Sequence, residues 1–454
     1  MIDPIDAVRA ELADALSPGA LVVDPDVMAA YRVDRATAVT PGTPVALVRA
    51  RSTADVQAAL RLASRWRVPV VPRGLGTGLS GGASALDGCI VVSTEQLRHL
   101  AVEPDAMVAV VGPGIRNAEL KAAAAEHGLW YPPDPSSFEI CSIGGNLATN
   151  AGGLCCVKYG VTTDYVLGLE VVLADGRAVR LGGRTIKDVA GYDLKRLFVG
   201  SEGTLGVITE ATLRLRPRPP EASTVVATFA SVVDAGRAVS RVVTMVRPAA
   251  LELMDRAALR AVEAVQPMGL DREAAALVLA RTDGSVDEAR RIAQVCEEAG
   301  AAYVAHTDDP DEGELLMGAR RMAIPCVERL GTVLIEDVGV PVPRIPELLA
   351  EVARIAVEHD TAIPVIGHAG DGNFHPLVTY DATDPEATTR AAAAFDAVME
   401  AALALGGTIT GEHGVGVLKA RHLVSQLGDD VMDLTRRIKH ALDPDGILNP
   451  GKWV

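Results

Sequence analysis

The sequence predicts an α+β protein built from two domains. At 454 residues, the chain is longer than a single hydrophobic core usually supports. The clearest break is the proline-rich segment at residues 216–220, because proline interrupts regular structure. We therefore expect one domain at residues 1–217 and a second at residues 218–454.

The two halves differ in how their apolar residues are spaced. The first domain has short β-branched runs that predict strands at residues 45–49, 68–71, 89–92, 108–111, 166–173 and 205–215, with a helix capped by Thr53 and another at 117–127. Beyond the break, predicted strands at 223–229, 251–254, 275–281, 303–306 and 362–366 alternate with helices at 232–245, 257–265, 287–299, 345–359, 385–405 and near 431–442. This alternation favours a sheet with helices on one face.

Composition excludes several kinds of partner. The net charge is −16 with scattered basic residues, which argues against nucleic acid or an anionic membrane as partner. No apolar run reaches membrane-spanning length, and residues 1–4 lack a basic flank or an apolar signal core. The six cysteines show no C-x-x-C spacing, and Cys155 and Cys156 are adjacent. Reduced thiols in a cytoplasmic protein are the expectation.

The glycine-rich segment PRGLGTGLSGG at residues 72–82 is the strongest local signal. Five glycines at residues 74–82 let successive N–H groups face one concavity that suits a diphosphate. Residues 76–81 fit G-x-G-x-x-G, but the next apolar run begins at residue 89 and leaves no room for the crossover helix of a Rossmann unit. The Lys-Ser/Thr ending of a P-loop is also missing.

Three further loops in the first domain are rich in small polar residues, at residues 132–137, 142–153 and 200–206. Each alone is typical of a turn, whereas together they indicate a large, polar-edged ligand approached closely by backbone. In the second domain, His368 and His375 flank a glycine turn, and Glu412 and His413 stand between glycines. Two imidazoles and a carboxylate form a ligand set for a divalent metal; hydrogen-bonded histidines in polar loops are the alternative.

The motifs PRGLGTGLSGGA, PPDPSS, SIGGNLATNAGG, KYGVTTDYVLGLEVV and KDVAGYDLKRLFVGSEGTLGVIT resemble the FAD-binding domain of the vanillyl-alcohol-oxidase (PCMH-type) superfamily. The closest resemblance is to the branch that holds the glycolate oxidase D-subunit, D-lactate dehydrogenase and D-2-hydroxyglutarate dehydrogenase. It runs from about residue 45 to the tail DPDGILNPGK at residues 443–452. It implies a two-part PCMH-type domain and an α+β, ferredoxin-like substrate and metal domain, with the tail from about residue 404 returning to the first domain.

The resemblance also implies roles for individual residues. The FAD diphosphate would be bound by Arg73, Gly74, Gly76, Thr77 and Gly78, and the flavin lined by Pro133, Asp134, Ser136, Ser142, Gly145 and Asn146. Glu202, Gly206 and Ile208 would lie along the cofactor, with Asn449 near the isoalloxazine. His368, His375 and Glu412 would bind the metal, zinc first and manganese second, with His413 as the base.

The implied reaction oxidises a small D-2-hydroxy acid to the 2-oxo acid. A metal lowers the pKa of the hydroxyl, an imidazole accepts the proton, and FAD takes the hydride at N5. Arg320 or its neighbour Arg321 is the candidate for pairing with the substrate carboxylate, because arginine suits bidentate pairing. A quinone, a cytochrome or an electron-transfer flavoprotein would accept the electrons, and a homodimer is expected.

The choice of substrate rests on three apolar residues, Ile324, Ile335 and Leu377. Relatives that take D-2-hydroxyglutarate tend to have polar residues at such positions, so D-lactate or glycolate is favoured here. D-2-hydroxyglutarate remains an alternative. A transferase resembling alkyl-dihydroxyacetone-phosphate synthase is another, although aromatic residues make up only 3% of the chain, too few for a long apolar tunnel. A flavin-free structural subunit is a third.

Overall fold

The chain folds into two units that do not follow a single cut along the sequence. The computed structural model describes residues 4–220 and 222–454. One unit comprises Met1–Gly152, Val161–Arg218 and Glu412–Val454, and the other comprises Gly153–Gly160 and Pro219–Gly411. We call them the N-terminal and C-terminal units. The expectation that the chain starts without a signal segment falls partly on Met1–Asp3, which lie outside the described residues.

The first sheet of the N-terminal unit is mainly parallel. Ile90–Ser93 pairs in parallel with both Ala46–Arg49 and Val70–Arg73, and Leu21–Val22 adds an antiparallel edge. All four residues of Ile90–Ser93 are buried, because a central parallel strand is covered on both faces. The helices Pro4–Ala15 and Thr53–Trp66 contribute side chains to the core of this sheet.

The cap of the second of these helices differs from the prediction. The Oγ of Ser52, not of Thr53, accepts the N–H of Asp55 at 3.2 Å, and Thr53 instead donates to Glu170 at 2.8 Å. The helix starts one residue earlier than a Thr53 cap requires, because serine caps as well as threonine and the backbone at Ser52 is extended.

The second sheet of the N-terminal unit is antiparallel. Its strands lie in the order Leu100–Glu103, Val108–Val111, Val207–Arg214, Val166–Val172 and Ala178–Gly182. Buried and half-buried residues alternate along Val207–Arg214, the pattern of a strand with one face on a core. The two edge strands were not predicted, since they are largely exposed and carry few apolar residues.

A short helix replaces the loop predicted at residues 142–153. The helix is Ile143–Thr149, capped by the Oγ of Ser142, which accepts the N–H of Gly145 at 3.2 Å. It ends at Asn150, whose φ is 53°. Glycine disfavours helix by about 1 kcal/mol, but the cap and the burial of Ile143 and Leu147 outweigh that preference here.

The remaining elements of the unit are Pro25–Ala29, Asn117–Ala125, Lys195–Phe198, Ala420–Leu427 and Asp429–Leu442 (helices), Pro104–Ala106 and Thr162–Tyr165 (3-10 turns), and the paired strands Leu129–Trp130 and Arg216–Pro217.

The C-terminal unit is built on one antiparallel sheet of eight strands. Its first half follows the β-α-β-β-α-β pattern of ferredoxin-like folds, with helices Val232–Met245 and Val286–Glu298 as the two crossovers. The strands Tyr303–Thr307, Ser223–Phe229, Ala276–Thr282 and Ala250–Asp255 lie side by side in that order. The predicted α+β class is confirmed.

The sheet continues from Ala250–Asp255 through Val365–His368, Asn373–Tyr380 and Thr332–Ile335, and Val338–Gly339 also pairs with Asn373–Tyr380. Three of these strands were missed, because Asn373–Tyr380 is interrupted by polar residues and Pro376, and the other two are short. The unit's other elements are Cys156–Tyr159, Arg256–Val265, Pro310–Arg321, Ala323–Glu328, Ile345–Glu358 and Pro385–Ala404 (helices) and the 3-10 turn Val342–Arg344. Within the part of the chain that the structure describes, no helix has the length and apolarity needed to cross a membrane.

Candidate active site

The glycine segment at residues 74–82 leaves the edge of the parallel sheet as irregular backbone. It follows the strand Val70–Arg73 directly, and no helix separates it from the strand Ile90–Ser93 in the described chain. No backbone N–H from residue 74 to residue 82 donates a hydrogen bond to any group within residues 4–220 and 222–454. Nine consecutive donors in one partly buried loop need an acceptor, and a diphosphate supplies several.

Arg73 lies against this loop. Its side chain is buried, its Nη1 has no hydrogen-bond partner in the described chain, and its guanidinium lies 5.7 Å from the ring centre of Tyr31. Burial lowers the pKa of the Arg73 guanidinium. A Cβ at Gly76, where φ is 73°, would stand 2.1 Å from Nη2 of Arg73. Glycine is therefore required there by both space and backbone conformation.

Segments far apart in the sequence meet this loop within the N-terminal unit. A Cβ at Gly74 would stand 2.7 Å from the Oγ of Ser142, so the loop packs on the cap of the short helix. The side-chain amide of Asn449 donates to the carbonyl of Gly82 at 2.9 Å and to that of Glu202 at 2.7 Å. Predicted cofactor residues from four parts of the sequence thus surround one loop.

Glu202 is the buried carboxylate of this arrangement. Its two oxygens accept the N–H groups of Val415 and Gly416 at 2.7 and 2.9 Å. Burial raises the pKa of Glu202 to about 7, while these two donors act in the opposite direction. Its φ of 51° is unusual for a residue with a side chain. Glu202 therefore holds the segment after His413 in place within the N-terminal unit.

Two residues that support the loop were missed by the sequence analysis. The carboxylate of Asp34 accepts the N–H of Ala83 and the hydroxyl of Ser84, each at 3.3 Å. The Nζ of Lys452 donates to the carbonyl of Ser84 at 2.8 Å. Neither residue belongs to a glycine-rich motif, so only their contacts in the folded chain reveal them.

The other predicted cofactor residues have mixed surroundings. Asn146 is buried, accepts the side-chain amide of Asn117 at 3.0 Å and donates to the Sγ of Cys141 at 3.3 Å. A Cβ at Gly206 would stand 2.5 Å from Val171, so that glycine serves the packing of the sheet. Ile208 packs partly against the same core. Pro133 is buried, Asp134 half-buried and Ser136 exposed, and their roles toward the flavin stay predictions.

We expect Gly78→Val to lower FAD content at least tenfold while leaving the fold intact. A Cβ at Gly78 would meet only Asp34, at 3.4 Å, and φ is not in the left-handed region. The protein itself therefore tolerates a side chain, so any loss reports on the space that the diphosphate needs. Flavin per polypeptide and circular dichroism measure the two effects. Gly183→Val is the control, because no atom lies within 4 Å of its Cβ position; equal flavin content in both variants contradicts the assignment.

A buried charged cluster occupies the middle of the C-terminal sheet. The two carboxylate oxygens of Glu252 lie 2.8 and 2.9 Å from the Nδ1 of His368. The Nε of Arg320 lies 2.9 Å from the Glu252 carboxylate, and both side chains are at most 2% exposed. The neighbouring Arg321 pairs instead with the exposed Glu314. Of the two candidate arginines, Arg320 is the one in the polar interior.

The second predicted histidine ligand lies beside the first. The rings of His368 and His375 have centroids 5.2 Å apart, and each offers a nitrogen within 4.8 Å of the other's. The Nδ1 of His375 lies 3.8 Å from Asp337. Asp337 also accepts the hydroxyl of Thr410 at 2.6 Å and the N–H of Gly411 at 2.9 Å. Gly411 immediately precedes Glu412 in the sequence.

Glu412 and His413 begin the returning segment of the N-terminal unit. The hydroxyl of Ser80 donates to the carbonyl of Gly414 at 2.8 Å and to that of His413 at 3.3 Å. The Nε2 of His413 lies 3.6 Å from a carboxylate oxygen of Glu412. At Gly414 the φ is 83°, so the chain bends directly after His413. The candidate base is thereby tied to the glycine loop of its own unit.

Comparison with known proteins identifies the family of this chain. Residues 218–453 match the model of FAD-linked oxidases, C-terminal domain, and residues 44–182 match the model of an FAD binding domain. This chain belongs to the FAD-linked oxidases. FAD is therefore its cofactor, and the open N–H groups, the unpartnered Arg73 nitrogen and the required glycine at residue 76 fit that cofactor.

Relatives of this FAD-linked oxidase share most of its length. The glycolate oxidase subunit GlcD of Bacillus subtilis is 42% identical over 416 residues, which cover 90% of this chain and 88% of the relative. A D-lactate dehydrogenase of Archaeoglobus fulgidus is 39% identical over 412 residues, covering 90% and 91%. Among solved structures, p-cresol methylhydroxylase has a TM-score of 0.81 at 16% identity, covering 99% of this chain and 96% of that one. The fold is thus of the PCMH type.

The three apolar residues on which the choice of substrate rested lie in or against the core of the C-terminal unit. Leu377 is fully buried in the core of the C-terminal unit, and Ile324 and Ile335 pack against that core. Strand pairing sets Ile335 opposite Leu377. Their apolar character is explained by packing, so it carries no information about a second substrate carboxylate. These three residues therefore do not support a preference for a monocarboxylate substrate.

Proposed function

We propose that this FAD-linked oxidase converts a small 2-hydroxy acid, with glycolate and D-lactate favoured, to the corresponding 2-oxo acid. The similarity over about nine-tenths of the chain to a glycolate oxidase subunit and a D-lactate dehydrogenase carries the proposal. Both relatives are named for small monocarboxylates, which favours these substrates over D-2-hydroxyglutarate. The same similarity favours an oxidation over the transferase alternative.

The substrate carboxylate pairs with Arg320. The Nη2 of Arg320 is buried and makes no hydrogen bond within the described residues. A buried donor without an acceptor costs about 1–3 kcal/mol, and a carboxylate removes that cost. Arginine also offers two parallel donors to a carboxylate. A 2-hydroxy acid supplies this group next to the hydroxyl that reacts.

His368, His375 and Glu412 hold a divalent metal. The close pair of imidazoles supports this assignment, as does the anchoring of Gly411 on Asp337, beside His375. Two imidazoles and one carboxylate suit zinc, with manganese as the second choice. Bound there, the metal would supply Lewis-acid polarisation of the substrate hydroxyl, and FAD would supply the hydride acceptor. His413 accepts the hydroxyl proton; its Nε2 lies 3.6 Å from a carboxylate oxygen of Glu412, so the base stands beside this metal ligand.

Anaerobic mixing of the purified protein with candidate substrates tests the function. We expect bleaching of the flavin absorbance by glycolate or D-lactate, and none by L-lactate. D-2-hydroxyglutarate is included to test the alternative substrate. The metal content of the same sample is measured by mass spectrometry. A protein with one FAD per chain that is reduced by none of these acids contradicts the proposal.

We expect FAD to be held without a covalent bond. No histidine or cysteine lies within residues 74–82. The nearest thiol in sequence to the predicted flavin lining is Cys141, which is buried and whose pKa is raised by that burial. The thiolate, not the thiol, is the nucleophile, so this burial disfavours attack on the flavin by Cys141. Acid precipitation should release all of the yellow colour into the supernatant; colour that remains in the pellet contradicts this.

An electron acceptor is required by any oxidase of this family, and a quinone, a cytochrome or an electron-transfer flavoprotein stays the prediction for it. The expected homodimer and the cytoplasmic location also stay predictions.

A further inference from the structure

We propose that Glu252 is a positioning residue that fixes both the tautomer of His368 and the side chain of Arg320. Glu252 would thereby position one proposed metal ligand and the proposed partner of the substrate carboxylate. Its relevance to catalysis rests on the proposed function. Glu252 stands on the central strand Ala250–Asp255, His368 ends the adjacent strand Val365–His368, and Arg320 lies in the last turn of the helix Pro310–Arg321. Two strands and one helix therefore bring these three buried side chains together.

The first step concerns the histidine. A carboxylate in an ion pair with arginine can only accept hydrogen bonds, so its contacts of 2.8 and 2.9 Å with Nδ1 require a proton on that nitrogen. A neutral His368 then has its lone pair on Nε2, the nitrogen on the other side of the ring. Metal-binding histidines are commonly held in this way by a carboxylate, which also makes the imidazole a stronger donor.

The second step concerns the arginine. Glu252 forms an ion pair with Arg320, its carboxylate lying 2.9 Å from Nε, and Nη2 is a buried nitrogen that, like Nε, makes no hydrogen bond within the described residues. A guanidinium has a rigid planar fork, so fixing its Nε edge also fixes the direction of the remaining N–H groups. One carboxylate thereby sets the relative positions of the group that pairs with the substrate and a ligand of the metal.

The tautomer can be read directly by NMR of the FAD-containing protein labelled with 15N-histidine, at a pH where imidazoles are neutral. The His368 signal is the one lost in His368→Asn. We expect the wild type to carry its proton on Nδ1. A proton on Nε2 overturns the proposal, whether or not the protein oxidises hydroxy acids, so this result is distinct from a failure of the proposed function.

Glu252→Gln tests the consequence. We expect the metal dissociation constant, measured by competition with a chromogenic chelator, to rise about 10- to 100-fold, and the substrate KM to rise as well. Arg320→Met should raise KM yet leave metal affinity within about threefold. Glu314→Gln is the matched control, since it removes the carboxylate partner of the adjacent Arg321 and should change neither value. Unchanged metal affinity and KM in folded Glu252→Gln overturn the proposal; if that variant does not fold, the tautomer of the wild type decides.

Discussion

Replacing His375 with alanine should lower turnover about a thousandfold or more without changing the flavin spectrum. A metal acting as a Lewis acid contributes several kcal/mol, and each 1.4 kcal/mol corresponds to about a factor of ten in rate. The flavin should be spared because the glycine segment that holds it belongs to the N-terminal unit, whereas His375 belongs to the C-terminal unit. Steady-state kinetics with a dye acceptor, an absorption spectrum and metal analysis provide the three measurements.

Removal of the metal from the wild type by a chelator should reproduce the effect of His375→Ala, and adding zinc or manganese back should restore turnover. His306→Ala is the matched control, because that histidine is an exposed residue of the same unit. It should keep its metal and its activity. A His375→Ala protein that retains full turnover, or a wild type that is indifferent to chelation, would show that the reaction does not use this metal.

Replacing His413 with alanine should slow reduction of the flavin by substrate about a hundredfold or more, while metal and FAD stay bound. That loss is the usual scale for removing a general base. Stopped-flow absorbance measures the reductive step separately from reoxidation by the acceptor. We also expect the rise of the reduction rate with pH, which reports the deprotonation of the base in the wild type, to be lost in the variant.

The matched control for His413 is His440→Ala, which removes an exposed histidine of the same unit from the helix Asp429–Leu442 and should leave reduction unchanged. The opposite pattern is informative as well. If His413→Ala loses its metal and regains normal reduction when metal is resupplied, then His413 is a ligand and the base lies elsewhere.

The residues predicted for the site occur in local patterns. The glycines at residues 74–82 act through backbone conformation, which a sequence displays directly. Gly370 and Gly372 lie between His368 and His375, and Gly411 and Gly414 flank Glu412 and His413. The residues that hold these groups in place were not predictable. Asp34 and Lys452, which lie near opposite ends of the sequence, contact Ala83 and Ser84 directly after the loop, and Glu252 contacts His368 across 116 positions in the sequence.

Predictions from local sequence patterns were wrong where tertiary packing outweighed the local preference of the residues. The segment SIGGN predicted a loop, yet Ser142 caps a helix there and Ile143 and Leu147 enter the core. Ile324, Ile335 and Leu377 suggested an apolar substrate pocket, yet Leu377 belongs to the core of the C-terminal unit and the two isoleucines pack against that core. Whether an apolar side chain faces a ligand or a neighbouring strand depends on sheet order, which is set by contacts between distant residues.

The sequence by itself determined the α+β class and the family and predicted the FAD-binding loop, because each depends on short motifs or on the spacing of apolar residues. Only the tertiary structure decided that Arg320, rather than Arg321, is the buried arginine, since two adjacent helical residues point to different sides. It also decided that Glu252 joins this arginine to His368. Burial and long-range pairing are properties of the folded chain, and they distinguish residues that look equivalent along the sequence.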